Sequence, residues 1–245
     1  MNGYLVRRED LRPAQRRAMF RLLAAHFDGV NELTFARDLA DKNWVVVVED
    51  GDGRLCGFST LAFYRTHCRG REIGVVCSGD TIVADRARTS RALLATWLDS
   101  VLWLGRNLEP DDLYWLLISS GYRTYRCLPL AFKAYHPASD GPVSRELAGM
   151  ADRLARQRWG DAYFPREGLV RFAEPQRLKA EVSPLSERLL QDRHVAFFTE
   201  RNPGHADGDE LVCLTSLGPS NLTAAGRRLL RRHEPGRGRR RVVPA

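Results

Sequence analysis

Residues 78–101 read SGDTIVADRARTSRALLATWLDSV, and residues 111–132 read DDLYWLLISSGYRTYRCLPLAF. The first segment passes from a β-rich run through a short Arg-bearing turn into an amphipathic helix. Leu93, Leu94, Trp97, Leu98 and Val101 share one side of that helix. The second passes from an apolar strand, Leu113–Ile118, through Ser119, Ser120 and Gly121 into a segment that reads as a helix from Tyr122 to Tyr135. A strand that feeds a helix aims unpaired backbone N–H groups and a partial positive charge at one point, which suits phosphate. Two such units side by side predict a cleft that holds a phosphorylated cofactor while a second molecule reacts beside it.

Outward from this centre, Tyr4–Arg8 reads as a strand, and Asp10 and Pro13 open an amphipathic helix reaching His26. Asn31 caps a second helix that buries Phe35 and Leu39 and carries Lys42 near its end. Trp44–Val48 is an apolar strand, EDGDG is hairpin chemistry, and Leu55–Tyr64 and Ile73–Val83 return as further strands. Thr89–Leu104 is the long helix. Beyond Pro137, Ser144 caps a helix to Trp159, Gly168–Phe172 is a short strand, Leu185–Thr199 a helix, Glu210–Leu217 a strand and Asn221–Arg232 a terminal helix. This order predicts a mixed, mainly antiparallel α/β (α+β) sheet of about seven strands with helices on both faces.

The chain of 245 residues is 44% hydrophobic and 28% charged, enough for one large domain with additions. No apolar run approaches the roughly 20 residues of a membrane span. MNGYLVRRED lacks the apolar segment of a secretory signal, so a cytoplasmic setting is expected. Cys56, Cys68, Cys77, Cys127 and Cys213 are scattered without a CxxC pair, and the His residues form no paired-ligand spacing; neither a disulfide framework nor a metal site is expected. The net charge of +8 is concentrated at the end, where RRLLRRHEPGRGRRRVVPA holds eight Arg against one Glu. That composition predicts a short helix and a disordered basic tail. No RNP-like motif, zinc finger or groove-reading helix accompanies it, which argues against a nucleic-acid partner; an acidic protein suits the same charge. The sequence carries no signal for an oligomeric state.

GDTIVADRARTSRALL (79–94) and LYWLLISSGYRTYRCLPLAF (113–132), set in this element order, resemble the fourth and fifth strands and following helices of the GCN5-related N-acetyltransferase family. GLVRF and ELVCLTSL then resemble its sixth and seventh strands, and residues 1–218 form the domain, with a helical insertion at about 144–202. The resemblance implies an acyltransferase passing an acyl group from acetyl-CoA or a longer acyl-CoA to a small-molecule or peptide amine, by direct attack in a ternary complex and without a metal. The family's pyrophosphate loop usually carries glycines where Arg88 and Ser90 stand here. Three readings follow: CoA held with Arg replacing amide contacts, a phosphopantetheine arm on an acidic carrier protein, or a lost cofactor site. The last makes the chain a non-catalytic module that binds a thioester carrier or acidic partner.

On the resemblance, the backbone at Ile82 and Val83 holds the pantetheine arm. Arg86, Arg88, Thr89, Ser90 and Arg91 hold phosphate, with Ser119 and Tyr122 beside them. Asp80, a carboxylate placed mid-strand where Asp is disfavoured, is the candidate base. Tyr125 is the candidate acid for the departing thiol. Ser119 and Ser120 serve equally as helix caps, and Cys127 reads as a structural thiol. Phe197, Phe198 and the Tyr163–Pro165 segment are candidates for an acyl-chain wall.

Overall fold

The computed structural model describes residues 1–108, 112–140, 144–182 and 185–232, so the predicted disordered stretch 233–245 lies outside the described residues. The elements begin β1 (Asn2–Arg7), α1 (Pro13–His26), β2 (Phe27–Asp28), α2 (Glu32–Ala40), β3 (Trp44–Glu49), β4 (Leu55–Cys68) and β5 (Arg71–Val83). They continue α3 (Ala92–Leu108), β6 (Leu113–Ser119), α4 (Tyr122–Tyr125), α5 (Cys127–Ala131), β7 (Tyr135–His136), α6 (Arg145–Trp159), β8 (Tyr163–Phe164) and β9 (Leu169–Val170). The last are β10 (Arg177–Leu178), α7 (Glu187–Leu190), α8 (Arg193–Arg201), β11 (Glu210–Ser216) and α9 (Ala224–Arg232).

Local chemistry accounts for the frame. Asn31 Oδ1 accepts the Thr34 amide at 2.8 Å to start α2, and Ser144 Oγ accepts that of Leu147 at 3.2 Å to start α6. Asp50 Oδ1 accepts the amides of Asp52 and Arg54, and Gly53 takes φ 77°, closing the β3–β4 hairpin. The sheet runs β1-β3-β4-β5-β6-β11-β9-β8, with β7 also paired to β11; β2 and β10 form a separate ribbon. Within the main sheet only β5 and β6 pair in parallel.

Period-two alternation sorts the core onto two faces. Val45, Val47, Phe58, Val75, Cys77, Leu116, Val212 and Leu214 meet α1, α2 and α6. Leu61, Val76, Trp115, Leu117, Leu211 and Cys213 meet α3, α5, α8 and α9. Leu98 and Val101 of α3 are fully buried, each contributing roughly 1.5–3 kcal/mol by leaving water.

The site depends on a fault in the β4–β5 ladder. Ser59 opposes Thr81, and Leu61 opposes Ser78, so Thr60 alone faces both Gly79 and Asp80. This bulge bends β5 just where its parallel pairing with β6 stops, at Ser78 and Leu117. The two strands part, and a gap opens through the sheet.

Some expected elements differ. The helix predicted over 122–135 is broken into α4 and α5, because Pro129 has no N–H for the carbonyl of Tyr125. Its last residue, Tyr135, opens β7. The helix predicted over 185–199 is likewise split, with Asp192 Oδ1 capping α8 through the His194 amide. α3 begins at Ala92 rather than Thr89, since residues 85–87 form a 3-10 turn.

Candidate active site

Two cavities meet at the parted strands. The larger, about 620 Å³, lies on the sheet face between α2 and α6; the smaller, about 290 Å³, lies against α3 and α4. Phe27, Thr81, Ser120 and Thr124 line both.

The larger cavity is charged. Asp80 from the bulge and Glu210 from the start of β11 face it from either side of the end of β6. Among the described residues, neither carboxylate has a hydrogen-bond or ion-pair partner. Burial pushes Asp80 up to about 6, opposed by the Lys42 ammonium and assisted by Asp38. Burial likewise pushes Glu210 up to about 8, and the charge of Asp80 adds to the rise. The Lys42 ammonium donates to the Asp38 carbonyl and to Asp41 Oδ2, each at 3.2 Å. Asp41 also binds Arg158 of α6, closing the outer wall. Asp38 and Glu174 bring the carboxylates lining this cavity to five, against three cations, Arg37, Lys42 and Arg158.

The smaller cavity is the electrical opposite. Arg88, Arg91 and Arg123 line it beside Ile82, Val83, Leu93, Leu94 and Trp97, and no described lining residue is acidic. Arg88 is paired with Asp85 at 2.6 Å; Arg91 and Arg123 have no ion-pair partner among the described residues. Ala84 donates its amide to Cys56, which fixes the ladder's alternation. Ile82 therefore turns its peptide groups toward β4, whereas Thr81 and Val83 turn theirs toward the gap. The turn itself uses its amides internally: Ala87 donates to Ala84, Arg88 to Asp85 and Ser90 to Ala87. None of residues 84–91 has a positive φ, so this turn does not require glycine conformationally.

Residues 172–182 reach both cavities. Phe172, Ala173, Glu174 and Gln176 line the larger, and Leu178 and Val182 the smaller. Leu178 pairs with Phe27 across the β10–β2 ribbon, and Lys179 Nζ donates to the Ala24 carbonyl at 2.9 Å.

The residues expected at the site divide accordingly. Asp80 and Ser119 line the larger cavity; Ile82, Val83, Arg88, Ser90 and Arg91 line the smaller. Ser90 Oγ accepts the Ala92 amide at 3.1 Å at the start of α3, whereas Ser119 Oγ donates to the Gly121 carbonyl at 2.8 Å and caps no helix amide. Arg86 turns away, donating to the Leu55 carbonyl at 2.5 Å and lying 3.8 Å from Asp50. Thr89 is exposed, and neither cavity is lined by it. Tyr122 is buried beside Arg123 and lines neither cavity.

Tyr125 is the plainest departure. It is fully buried, donates its hydroxyl to the Pro137 carbonyl at 2.9 Å and packs against Tyr135, Phe197 and Phe198. Burial holds its pKa far above the ordinary tyrosine value. Those phenylalanines and Tyr163 wall neither cavity. Cys127 is half-buried, its thiol donating to the Arg123 carbonyl at 3.6 Å, and burial pushes it up to about 11. Among the described residues no group of three or more His, Cys, Asp or Glu is placed to hold a metal ion.

Sequence reasoning missed Glu210, Lys42 and Thr124 as site residues. Glu210 opens a strand, where a charge ordinarily reads as solvated, and only the β6–β11 pairing brings it opposite Asp80. Thr124 was hidden behind the more conspicuous tyrosines of its own helical turn.

No protein-family model matches the sequence, and no curated protein sequence matches it. Solved structures do align in part. A GCN5-related N-acetyltransferase from Kribbella flavida aligns at 16% identity and TM-score 0.40, over 55% of this chain and 34% of that one. A GNAT-family N-acetyltransferase from Escherichia coli, in complex with CoA, aligns at 16% identity and TM-score 0.37, over 52% and 68%. Glucosamine-6-phosphate N-acetyltransferase from Arabidopsis thaliana aligns at 15% and 0.37, over 55% and 95%. The chain spans about a third of the Kribbella flavida protein.

Proposed function

We propose that this chain is an N-acyltransferase that moves an acyl group from a thioester to an amine held in the same complex. The observation that carries the reading is the opposite charge of two cavities meeting at one gap. The donor occupies the smaller cavity. Arg91, Arg123 and Arg88 suit the phosphates of CoA, and the peptide groups of Thr81 and Val83 suit the amides of a pantetheine arm. The amine occupies the larger cavity, where carboxylates suit an ammonium ion. The thioester carbon then lies among Thr81, Ser120 and Thr124.

Asp80 takes a proton from the attacking nitrogen. Its raised pKa leaves it ionised at neutral pH yet close enough to 7 for efficient transfer. The Thr124 hydroxyl, not Tyr125, is the protein group beside the departing sulfur, since Thr124 lines both cavities. All five thiols are free, which suits a reducing, cytoplasmic setting. No helix among the described residues is long and apolar enough to cross a membrane.

The test is calorimetry with CoA and acyl-CoAs of rising chain length, followed by a thiol-release assay against a panel of amines. Micromolar CoA binding that Arg91→Ala weakens supports the reading; CoA binding unchanged by that substitution counts against it. A second reading, a non-catalytic module for a thioester carrier, is favoured by one observation: the amides at 87, 88 and 90 are already satisfied inside their turn. Binding of a carrier-linked phosphopantetheine, without thiol release in the presence of any amine, would select it.

A further inference from the structure

Resting on the acyl-transfer reading, we infer that Glu210 is a second catalytic carboxylate: with Asp80 it removes both protons from an acceptor that arrives as an alkylammonium ion. The two groups come from strands on either side of β6, line one cavity, and have no hydrogen-bond or ion-pair partner among the described residues. Asp80 and Glu210 are half-buried in the cavity wall, and structural acids drawn partly out of water are ordinarily paired, because an unpaired charge there is costly. These two are left unpaired at the one place where a cation has to lose its charge.

The proton count explains why two are useful. An alkylammonium nitrogen must lose one proton before it can attack and a second after the carbon–nitrogen bond forms. The arriving ammonium ion favours the ionised form of Glu210, whose own proton goes to solvent; the carboxylate then takes the first proton, and the freed lone pair attacks the thioester carbon. Asp80 takes the second as the carbon–sulfur bond breaks, and the sulfur leaves with its electron pair. One of the two protons ends on that thiolate and the other passes to solvent, which restores both carboxylates. An arylamine, already neutral, needs only one acceptor.

Other charges face the pair. Arg37 and Asp38 on α2, Asp41 and Lys42 after it, Arg158 on α6 and Glu174 in the insertion all line the cavity. The Cys77 thiol, pushed up to about 12 by burial, is neutral there at physiological pH. Asp41 is held by Lys42 and Arg158, and Arg37 lies 3.8 Å from Asp38. After burial, the charge of Asp80 adds to the rise of Glu210, and that of Asp38 adds to the rise of Asp80.

Two measurements decide it. The first is carboxyl-carbon NMR titration of the free protein labelled at Asp and Glu, for the wild type, Asp80→Asn and Glu210→Gln. Two carboxyls should titrate well above the usual range, and Asp80→Asn should lower the titration of Glu210. The second is thiol release from acetyl-CoA with primary alkylamines and with anilines. Glu210→Gln should slow the alkylamines at least about tenfold while leaving the anilines within about threefold. Equal slowing of both classes, slowing of neither, or a Glu210 titration unmoved by Asp80→Asn would overturn the proposal. If the wild type releases no thiol with any amine, acyl transfer itself falls, and the catalytic role with it. A titration failure beside normal turnover removes only the pair.

Discussion

Lys42 crosses directly over Gly79: a β-carbon at position 79 would lie 2.8 Å from Lys42 Cε and 2.7 Å from Thr60 Oγ1. The bulge therefore needs a residue without a side chain at this point, and that opening lets the ammonium reach the cavity beside Asp80. Gly79→Ala should push Lys42 aside at a cost of about 1–3 kcal/mol. Lys42→Met removes the same charge without crowding. In both, the acidic limb of the pH–rate profile should move to higher pH, because Asp80 loses the cation that holds its pKa down. An unmoved limb would show that Lys42 does not tune Asp80.

The two raised carboxyls also make a stability prediction. Between the ordinary range and about 6 for Asp80, or about 8 for Glu210, the folded protein keeps protons that the unfolded chain has released. Stability is therefore full at pH 4 and falls as pH rises through that window. Glu210→Gln abolishes the loss, so its Tm should exceed that of the wild type by several degrees at pH 8.5 and match it near pH 4. Calorimetric scans at the two pH values read this directly.

Donor affinity should follow the arginines according to where they point. Arg91→Ala and Arg123→Ala should each weaken CoA binding about tenfold, the scale of one charge-assisted contact, and the loss should shrink as salt is added. Arg86→Ala, whose guanidinium is tied to Leu55 and Asp50, should leave binding unchanged. Isothermal titration at two salt concentrations separates these cases.

Tyr125→Phe should leave turnover unchanged while lowering stability by about 1–3 kcal/mol, since it strands the buried Pro137 carbonyl. Thr124→Val should do the reverse, slowing thiol release with little change in Tm. A rate loss in Tyr125→Phe without loss of stability would restore the tyrosine as an acid.

Much of the frame was legible because it rests on local rules. Asn31, Ser144 and the Asp-Gly turn announce their caps and hairpin by side-chain chemistry alone, and unbroken apolar runs mark β3 and β6. The two-residue strands β2, β7, β8 and β10 are too short to carry any period, so only the fold reveals them. At the site, Asp80 was visible because a carboxylate inside a strand breaks a local preference. Glu210 breaks none, and its meaning depends on contacts far apart in sequence. Tyr125 misled for a related reason: its position along the chain was right, but a helical turn places neighbours on different sides, and Thr124 is the one turned to the cavities.

The ribbon made by residues 172–182 has a further consequence. Its first half borders the larger cavity, its second half the smaller, and the pairing of Leu178 with Phe27 ties it to a residue that lines both. On the acyl-transfer reading proposed above, choice of donor and choice of acceptor would both be written on one short piece of chain. On that reading, a lineage that edits that piece would alter both preferences in a single step, and grafting it onto a sister scaffold would carry both across at once.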